Sequence, residues 1–408
     1  MDFIKKRTRF VTTKSFWSEY YIIPIILTIC VIGIITAGSA IQTRTYKDSV
    51  IFADEFIKQI FSGFLLGLFL AYSIYIIGID NLLKFKRLML VASLATLLYL
   101  AIPSLISLIT RADLTTSVGY FKSLPIKPVI RNAAVRWLSI GPLQFQPVEL
   151  VKITVLLYMA HYFRNIDKLE LTWDYIKRPL YIFILTCFFI IIQPDLGSVV
   201  IITLMLATIL FLLKINIRQS LTILTILAIF SCLAIAVTPY RRERILGWLS
   251  NSKIQQVDAE YLQIKRVQDA VTKGGLTGVG YTNGTIKNSI PEVSSDAILA
   301  VLAEEFGFFA ILFLIILYSL LFYYCIQQSY IIQDTSRKII LIGIGSWIFY
   351  QSMWNIAGVV GLVPLKGLPL PFISEGGTSV AVSLLGVGLI LACIKRESIS
   401  RRPTRNLN

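Results

Sequence analysis

Histidine is almost missing from this chain: His161 is the only one in 408 residues. A chemistry that needs several imidazoles, whether a histidine-rich zinc site or a relay of histidines, is thereby excluded. The five cysteines, Cys30, Cys187, Cys232, Cys325 and Cys393, lie within or at the ends of apolar runs, where they behave as small hydrophobes. Neither a disulfide framework nor a zinc ligand set follows from them. Acidic residues are few, 23 against 39 Lys and Arg, for a formal charge of +16. The basic excess sits in short clusters between apolar runs, not on one domain, so it reads as membrane topology with anionic lipid headgroups as partners, and not as a nucleic-acid surface. A nucleotide loop is also lacking. Gly274-Gly275-Leu276-Thr277-Gly278-Val279-Gly280 is glycine-rich, but no Lys-Ser/Thr pair ends it and no strand precedes it.

What is abundant is apolar surface. Hydrophobic residues make up 56% of the chain, mean hydropathy is +0.73, and several runs exceed the roughly 20 residues that cross a bilayer. The fold class expected is an all-α polytopic membrane protein. Ten segments are predicted, at about 21–41, 56–79, 88–110, 147–163, 179–193, 196–213, 219–238, 297–325, 339–361 and 376–394. The organisation is a cytoplasmic arm over 1–20, a single membrane domain over 21–395 and a basic cytoplasmic tail over 396–408. The first run is too long for the roughly 7 to 15 residue core of a signal peptide, so an uncleaved helix is expected. With the N-terminus inside, every short inner connection is basic, as in Lys84-Phe85-Lys86-Arg87, Lys177-Arg178 and Arg337-Lys338, and the C-terminus returns to the cytoplasm. His161 then falls at the inner end of the fourth segment, away from any outer site.

Two outer connections are long, 111–146 and 239–296, and both carry cations: Arg136 in one, Arg244, Lys273 and Lys287 in the other. Solvated surface is the plain explanation; an outward site for an anionic, phosphorylated ligand is the other. Four further motifs are predicted on the same face. Gln146-Pro147-Val148-Glu149 opens the fourth segment, with Lys152 one turn along; Gln193-Pro194-Asp195-Leu196-Gly197 turns between the fifth and sixth. Pro364, Gly367, Pro369 and Pro371 break the chain before the tenth, and Asp296 begins the eighth.

Each of these admits a structural and a chemical reading. Glu149 and Lys152 can neutralise each other in a packed helix, or present an ammonium to a phosphate. Asp195 suits the N-cap of the sixth helix or a substrate contact. Lys287 is a loop lysine or a diphosphate ligand. Asp296 can cap the eighth helix, or serve as a general base whose proton affinity rises as the apolar edge strips its hydration. Glu304 and Glu305 lie deeper and are expected to turn inward toward partners.

In this order and spacing the motifs resemble the SEDS (shape, elongation, division and sporulation) family of RodA- and FtsW-type peptidoglycan glycosyltransferases. The marks are Arg136-Trp137, Gln146-Pro147-x-Glu149-x-x-Lys152, Gln193-Pro194-Asp195-Leu196-Gly197, Arg242-x-Arg244, Gly275-Leu276-x-Gly278-x-Gly280, Pro291-Glu292-x-x-x-Asp296, Glu304-Glu305-x-Gly307 and Gly367-x-Pro369-Leu370-Pro371-Phe372-Ile373-Ser374. The resemblance spans about Tyr21 to Cys393. It implies ten helices and polymerisation of lipid II on the outer face of the cytoplasmic membrane, beside a class B penicillin-binding protein that supplies the transpeptidase. It also implies that Asp296 is the general base. Arg136, Lys152, Arg244 and Lys287 are the candidates to hold the diphosphate; Glu149, Asp195, Glu292 and Ser374 complete the candidate substrate-binding set. No cofactor is required, although a divalent cation, magnesium or manganese, could share the diphosphate charge.

The chain departs from the family pattern at four points. Ser294 stands where a His is usual, Val148 where a Ser is usual, Glu375 where a Tyr is usual and Lys366 where a small or apolar residue is usual. Lys366 and Glu375 fall in one turn and are expected to pair. Two other functions compete with polymerisation: a flippase for the lipid-linked precursor, and a scaffold that recruits a transpeptidase. A flippase calls for polar residues strung through the membrane core, whereas here the motifs gather on one face. An elongation role and a division role are not separated by these motifs.

Overall fold

A computed structural model describes residues 21–44, 49–110, 113–121, 123–131, 134–141, 143–164, 173–212, 225, 259–290, 293–363, 367–375 and 377–400. Helices dominate: α1 (Ile22–Arg44), α2 (Ser49–Gln59), α3 (Leu66–Ile77), α4 (Ile79–Lys84), α5 (Lys86–Thr110) and the short α6 (Leu114–Gly119) come first. Three strands follow, β1 (Ile126–Arg131), β2 (Ala134–Ile140) and β3 (Leu143–Phe145). Then come α7 (Pro147–Tyr162), α8 (Trp173–Ile192), α9 (Leu196–Leu212), α10 (Ala259–Gly274), α11 (Ile298–Ile331), α12 (Thr335–Val359) and α13 (Gly377–Ser400). A single wide π turn, Ile60–Leu65, joins α2 to α3, so the second predicted segment starts earlier than position 56.

Six spans are long and apolar enough to cross a membrane by length and composition: Ile22–Gln42, Ile51–Ile77, Lys86–Ser107, Ile298–Ile331, Thr335–Val359 and Gly377–Lys395; Leu196–Leu212 is a shorter apolar helix. The chain is thus a multi-pass membrane protein. Apart from residue 225, the predicted segment 219–238 lies outside the described residues, as does 239–258 of the second long loop; farther along that loop come α10 and a 3-10 turn at Ile286–Ser289.

The lipid-like side chains give the helices no hydrophobic reason to associate inside a membrane, so close packing must come from small residues. That is where the glycines fall. A Cβ on Gly67 of α3 would stand 2.6 Å from Leu384 and 2.9 Å from the Ala381 Cα of α13, and one on Gly388 would stand 2.5 Å from the Ala71 backbone. Gly343 and Gly345 do the same for α12, the first admitting Leu156 of α7 and the second Cys325 of α11. The outer faces keep their large apolar groups: Phe61, Phe69 and Tyr72 are exposed, as residues facing lipid should be.

The expectation of an all-α chain is corrected at 126–145, where β1, β2 and β3 form an antiparallel meander with a bulge at Val129/Ile130. Val135 and Leu138 pack on Leu100 of α5, and the Tyr99 hydroxyl donates to the Ile126 carbonyl at 2.7 Å. The sheet thereby rests on α5 at Tyr99 and Leu100 and carries Arg136 on its central strand.

Helix α11 breaks at Gly307, whose φ of 73° and ψ of −167° leave backbone groups without helical partners. The glycine-rich segment 274–280 supplies them. Val279 and Gly280 donate to the Glu304 and Glu305 carbonyls, both at 3.0 Å, while Phe308 and Phe309 donate to the Gly275 and Leu276 carbonyls at 2.9 and 3.3 Å. Contact this close excludes side chains: a Cβ on Gly278 would lie 2.1 Å from the Glu305 oxygen. The motif that is no nucleotide loop is a backbone patch over a broken helix.

Candidate functional site

Asp296 ends the turn 293–296, and the first helical residue of α11 follows Ala297. The turn is fixed by hydrogen bonds to its backbone. Glu375 donates its N–H to the Ser294 carbonyl at 2.8 Å, Ser374 donates its hydroxyl to the Ser295 carbonyl at 2.6 Å, and Asn355 donates its amide to the Asp296 carbonyl at 3.1 Å. The Asp296 side chain is only partly buried.

The donors come from the proline-rich turn 367–375 and from α12, and the chemistry of proline explains why both are needed. Pro369 and Pro371 have no N–H, so the turn supplies too few donors: it satisfies the Leu370 carbonyl, from the Ile373 and Ser374 N–H groups, but not those of Leu368, Pro369 and Pro371. Side chains do so instead: Asn355 donates to Leu368 at 2.8 Å, Gln351 to Pro369 at 2.8 Å and Tyr318 to Pro371 at 2.6 Å. Ser374 closes the turn by accepting from the Leu370 N–H at 2.7 Å.

Gly367 is the meeting point of two charges. A Cβ built there would lie 3.0 Å from Asp296 Oδ2 and 3.6 Å from Arg136 Nη1. Arg136 is aimed by its remaining nitrogens: Nε donates to the Gln193 carbonyl at 3.1 Å and Nη2 to the Pro194 carbonyl. Asp195, the next residue, caps α9, accepting from the Ser198 N–H at 3.1 Å and the Ser198 hydroxyl at 2.7 Å. The cap sets the turn that holds Arg136, and Gly197 lets Leu368 lie against α9.

The other cations are enclosed. Lys152 is 1% exposed; its ammonium donates to Glu149 at 2.8 Å and to Gln351 Oε1 at 2.6 Å, and lies 4.9 Å from the Trp347 ring centre. Through Gln351 this pair connects to the Pro369 carbonyl, so Glu149 and Lys152 support the proline-rich turn from below. Lys287, also buried, donates to Glu305 and, at 2.6 Å, to Ser39 of α1. Glu304 accepts the backbone N–H groups of Thr285, Ile286 and Lys287 at 2.7 to 2.9 Å, plus the Lys273 ammonium at 3.1 Å. Both glutamates have turned inward to partners, as their cost in lipid requires. Arg244, Glu292 and Lys366 lie outside the described residues, and with Lys366 the expected pairing to Glu375.

The structure therefore gathers Asp296, Arg136, Asp195, Ser374, Glu149 and Lys152 around one turn and sets Lys287 in a separate buried pair. Gln351 and Asn355 are residues that motif reading missed. Their signal was present: two amides four residues apart on one face of an otherwise apolar span are costly in lipid and mark an inward polar stripe. Among the described residues no group of three or more His, Cys, Asp or Glu side chains could hold a metal ion.

The FtsW/RodA/SpoVE cell cycle protein family matches residues 18–399. A probable peptidoglycan glycosyltransferase FtsW of Haemophilus influenzae is 32% identical over 265 residues, 64% of this chain and 67% of that protein. The corresponding protein of Wigglesworthia glossinidia brevipalpis is 28% identical over 389 residues, 93% of each. In fold, the chain is similar to a component of a peptidoglycan synthase complex that coordinates polymerization and crosslinking, with a TM-score of 0.71 and 24% identity over 93% of this chain and 98% of that one. It is also similar to the rod shape determining protein RodA of Thermus thermophilus, with a TM-score of 0.64 and 22% identity over 93% and 97%. Matched over nearly its whole length, the chain belongs to the FtsW/RodA/SpoVE family of cell cycle proteins.

Proposed function

We propose that the chain is a peptidoglycan glycosyltransferase that polymerises lipid II at the outer face of the bacterial cytoplasmic membrane, with ten transmembrane helices and both termini cytoplasmic. The observation that carries the reading is the pair of unlike charges at Gly367: a partly exposed carboxylate and a guanidinium face the same point, on backbone pinned by three side chains from two helices, α11 and α12. A glycosyl transfer that expels a diphosphate needs that combination, a base at the attacking hydroxyl and a cation at the leaving group.

In the proposed reaction Asp296 takes the proton from the 4-hydroxyl of the acceptor sugar as its oxygen bonds to the anomeric carbon of the donor. The bond from that carbon to the diphosphate oxygen breaks, and undecaprenyl diphosphate leaves with the electron pair. Arg136 meets the growing negative charge, together with Arg244 from the second loop. Ser374, Asp195, Glu149 and Lys152 act as positioning residues for the turns that carry these two groups, and Glu292 contacts substrate beside Asp296. A divalent cation, magnesium or manganese, would share the diphosphate charge with Arg136 and Arg244. A class B penicillin-binding protein completes the machine; the likeness to a chain of a synthase complex that couples polymerization to crosslinking supports this partner.

The test is Asp296→Asn in the purified full chain with its transpeptidase partner. Glycan synthesis from lipid II is expected to disappear while membrane insertion and partner binding persist. Undiminished synthesis would leave the scaffold reading standing and remove Asp296 as the base.

A further inference from the structure

The ends of the helices opposite Asp296 enclose a second site. Within helix α12 the rise from Arg337 to Asn355 is about 27 Å at 1.5 Å per residue, so Arg337 lies a bilayer's hydrocarbon thickness from the Asp296 turn that Asn355 touches. There, α4, the first residue of α5, the end of α7 and the start of α12 surround a cavity of about 510 Å³.

Its lining carries four cations, Lys84, Lys86, Arg164 and Arg337, against two acids, Asp80 and Asp334. The acids are already engaged. Asp334 caps α12 through the Arg337 N–H at 3.0 Å and lies 3.8 Å from Arg164, and Asp80 lies 3.4 Å from Arg337 Nη2. Neither lysine meets a carboxylate among the described residues: Lys84 donates to Asn81 Oδ1 at 2.9 Å and Lys86 to the Leu83 carbonyl at 3.3 Å. Arg337 is 7% exposed, and its Nε, buried, has no hydrogen-bond partner. A buried guanidinium donor without an acceptor costs free energy that an anion in the cavity would recover.

We infer that this cavity binds a phosphate-bearing anion. Guanidinium groups recognise phosphate through paired N–H donors, and the ammonium groups add charge without demanding geometry. Two sources supply that chemistry at a cytoplasmic face, a lipid headgroup and soluble phosphate. Phe85 and Leu88, interleaved with the cation cluster, are 58% and 67% exposed, which offers acyl chains an apolar surface beside the charged one. The inference rests on the proposed membrane orientation alone, and its readout involves no polymerisation, so either reading can fail without the other.

The experiment is native mass spectrometry of the purified full chain with added phosphatidylglycerol or phosphatidylcholine of matched acyl chains, and separately with millimolar inorganic phosphate. Phosphatidylglycerol is expected to be retained about tenfold better than phosphatidylcholine. The preference should fall to near parity in the double variant Lys84→Gln, Lys86→Gln, which breaks no ion pair and should keep its unfolding midpoint in the absence of lipid. Retention of the lipid against excess phosphate identifies a headgroup site; displacement by phosphate, or phosphate binding alone that the double variant loses, identifies a soluble anion. Equal retention of the two lipids with no phosphate bound, or a preference unchanged in the double variant, overturns the inference.

Discussion

The Ser374 hydroxyl donates to the carbonyl of Ser295, 2.6 Å away and 79 residues earlier in the chain. One oxygen thus ties the proline-rich turn to the residue before Asp296, and the same oxygen accepts the Leu370 N–H. Ser374→Ala takes the acceptor from the buried Leu370 N–H and a donor from the partly buried Ser295 carbonyl, a loss of about 1 to 3 kcal/mol. The expected result is a lower thermal midpoint in detergent together with a fall in kcat for lipid II polymerisation at near-constant KM, since the residue orients the base without touching substrate. A KM effect alone would instead make Ser374 a substrate contact.

The apolar runs, the polar motifs and their shared face were legible because hydropathy and spacing act locally along the chain. The meander at 126–145 was not: Pro128 and Gly141 interrupt it, its strands do not alternate cleanly in burial, and what stabilises it is Leu100 on a distant helix. Spacing brought Glu149 and Lys152 together correctly, yet gave no hint of Gln351, which links them to the Pro369 carbonyl from 199 residues beyond Lys152. Lys287 reads in sequence as an outer-loop cation, and only the fold shows its partners, Ser39 and Glu305.

Gly367→Ala probes the gap between Asp296 and Arg136. The added methyl would meet Asp296 Oδ2 at 3.0 Å, tight enough to turn the carboxylate but not to break backbone packing. Displacement of a catalytic group by a fraction of an ångström to 1 Å can cost up to about a hundredfold in rate. Polymerisation should fall by roughly tenfold to a hundredfold, while the unfolding midpoint stays close to that of the native chain. Unimpaired activity would show that substrate does not use the space at Gly367.

Lys287 and Glu305 form a buried ion pair, and Glu305 Oε2 has no hydrogen-bond partner. Removing one partner leaves the other charge buried alone, which costs about 3 to 5 kcal/mol. Lys287→Met and Glu305→Gln are therefore each expected to reduce the amount of folded protein recovered from membranes, with the double variant recovering most of the loss. If Lys287 served the diphosphate as well, the double variant would fold and remain inactive, so activity measured per folded molecule separates the two roles.

The patch over the broken helix gives the sharpest contrast between neighbouring glycines. Gly275 and Gly278 both have positive φ, 54° and 81°, so alanine at either pays the left-handed penalty of about 1 to 2 kcal/mol. Their surroundings differ. A Cβ at Gly275 meets nothing within 4 Å, whereas one at Gly278 would stand 2.1 Å from the Glu305 oxygen and 2.5 Å from the Phe306 nitrogen. Relief of that overlap requires the segment to lift away, which breaks the bonds from Val279 and Gly280 and leaves the carbonyls beside Gly307 unsatisfied inside the protein. Gly275→Ala should fold with a modestly lowered midpoint. Gly278→Ala should fail to yield monodisperse protein on size exclusion in detergent, or unfold at a far lower temperature. Equal effects from the two substitutions would mean that backbone conformation alone, and not closure of the α11 break, is why these positions are glycine.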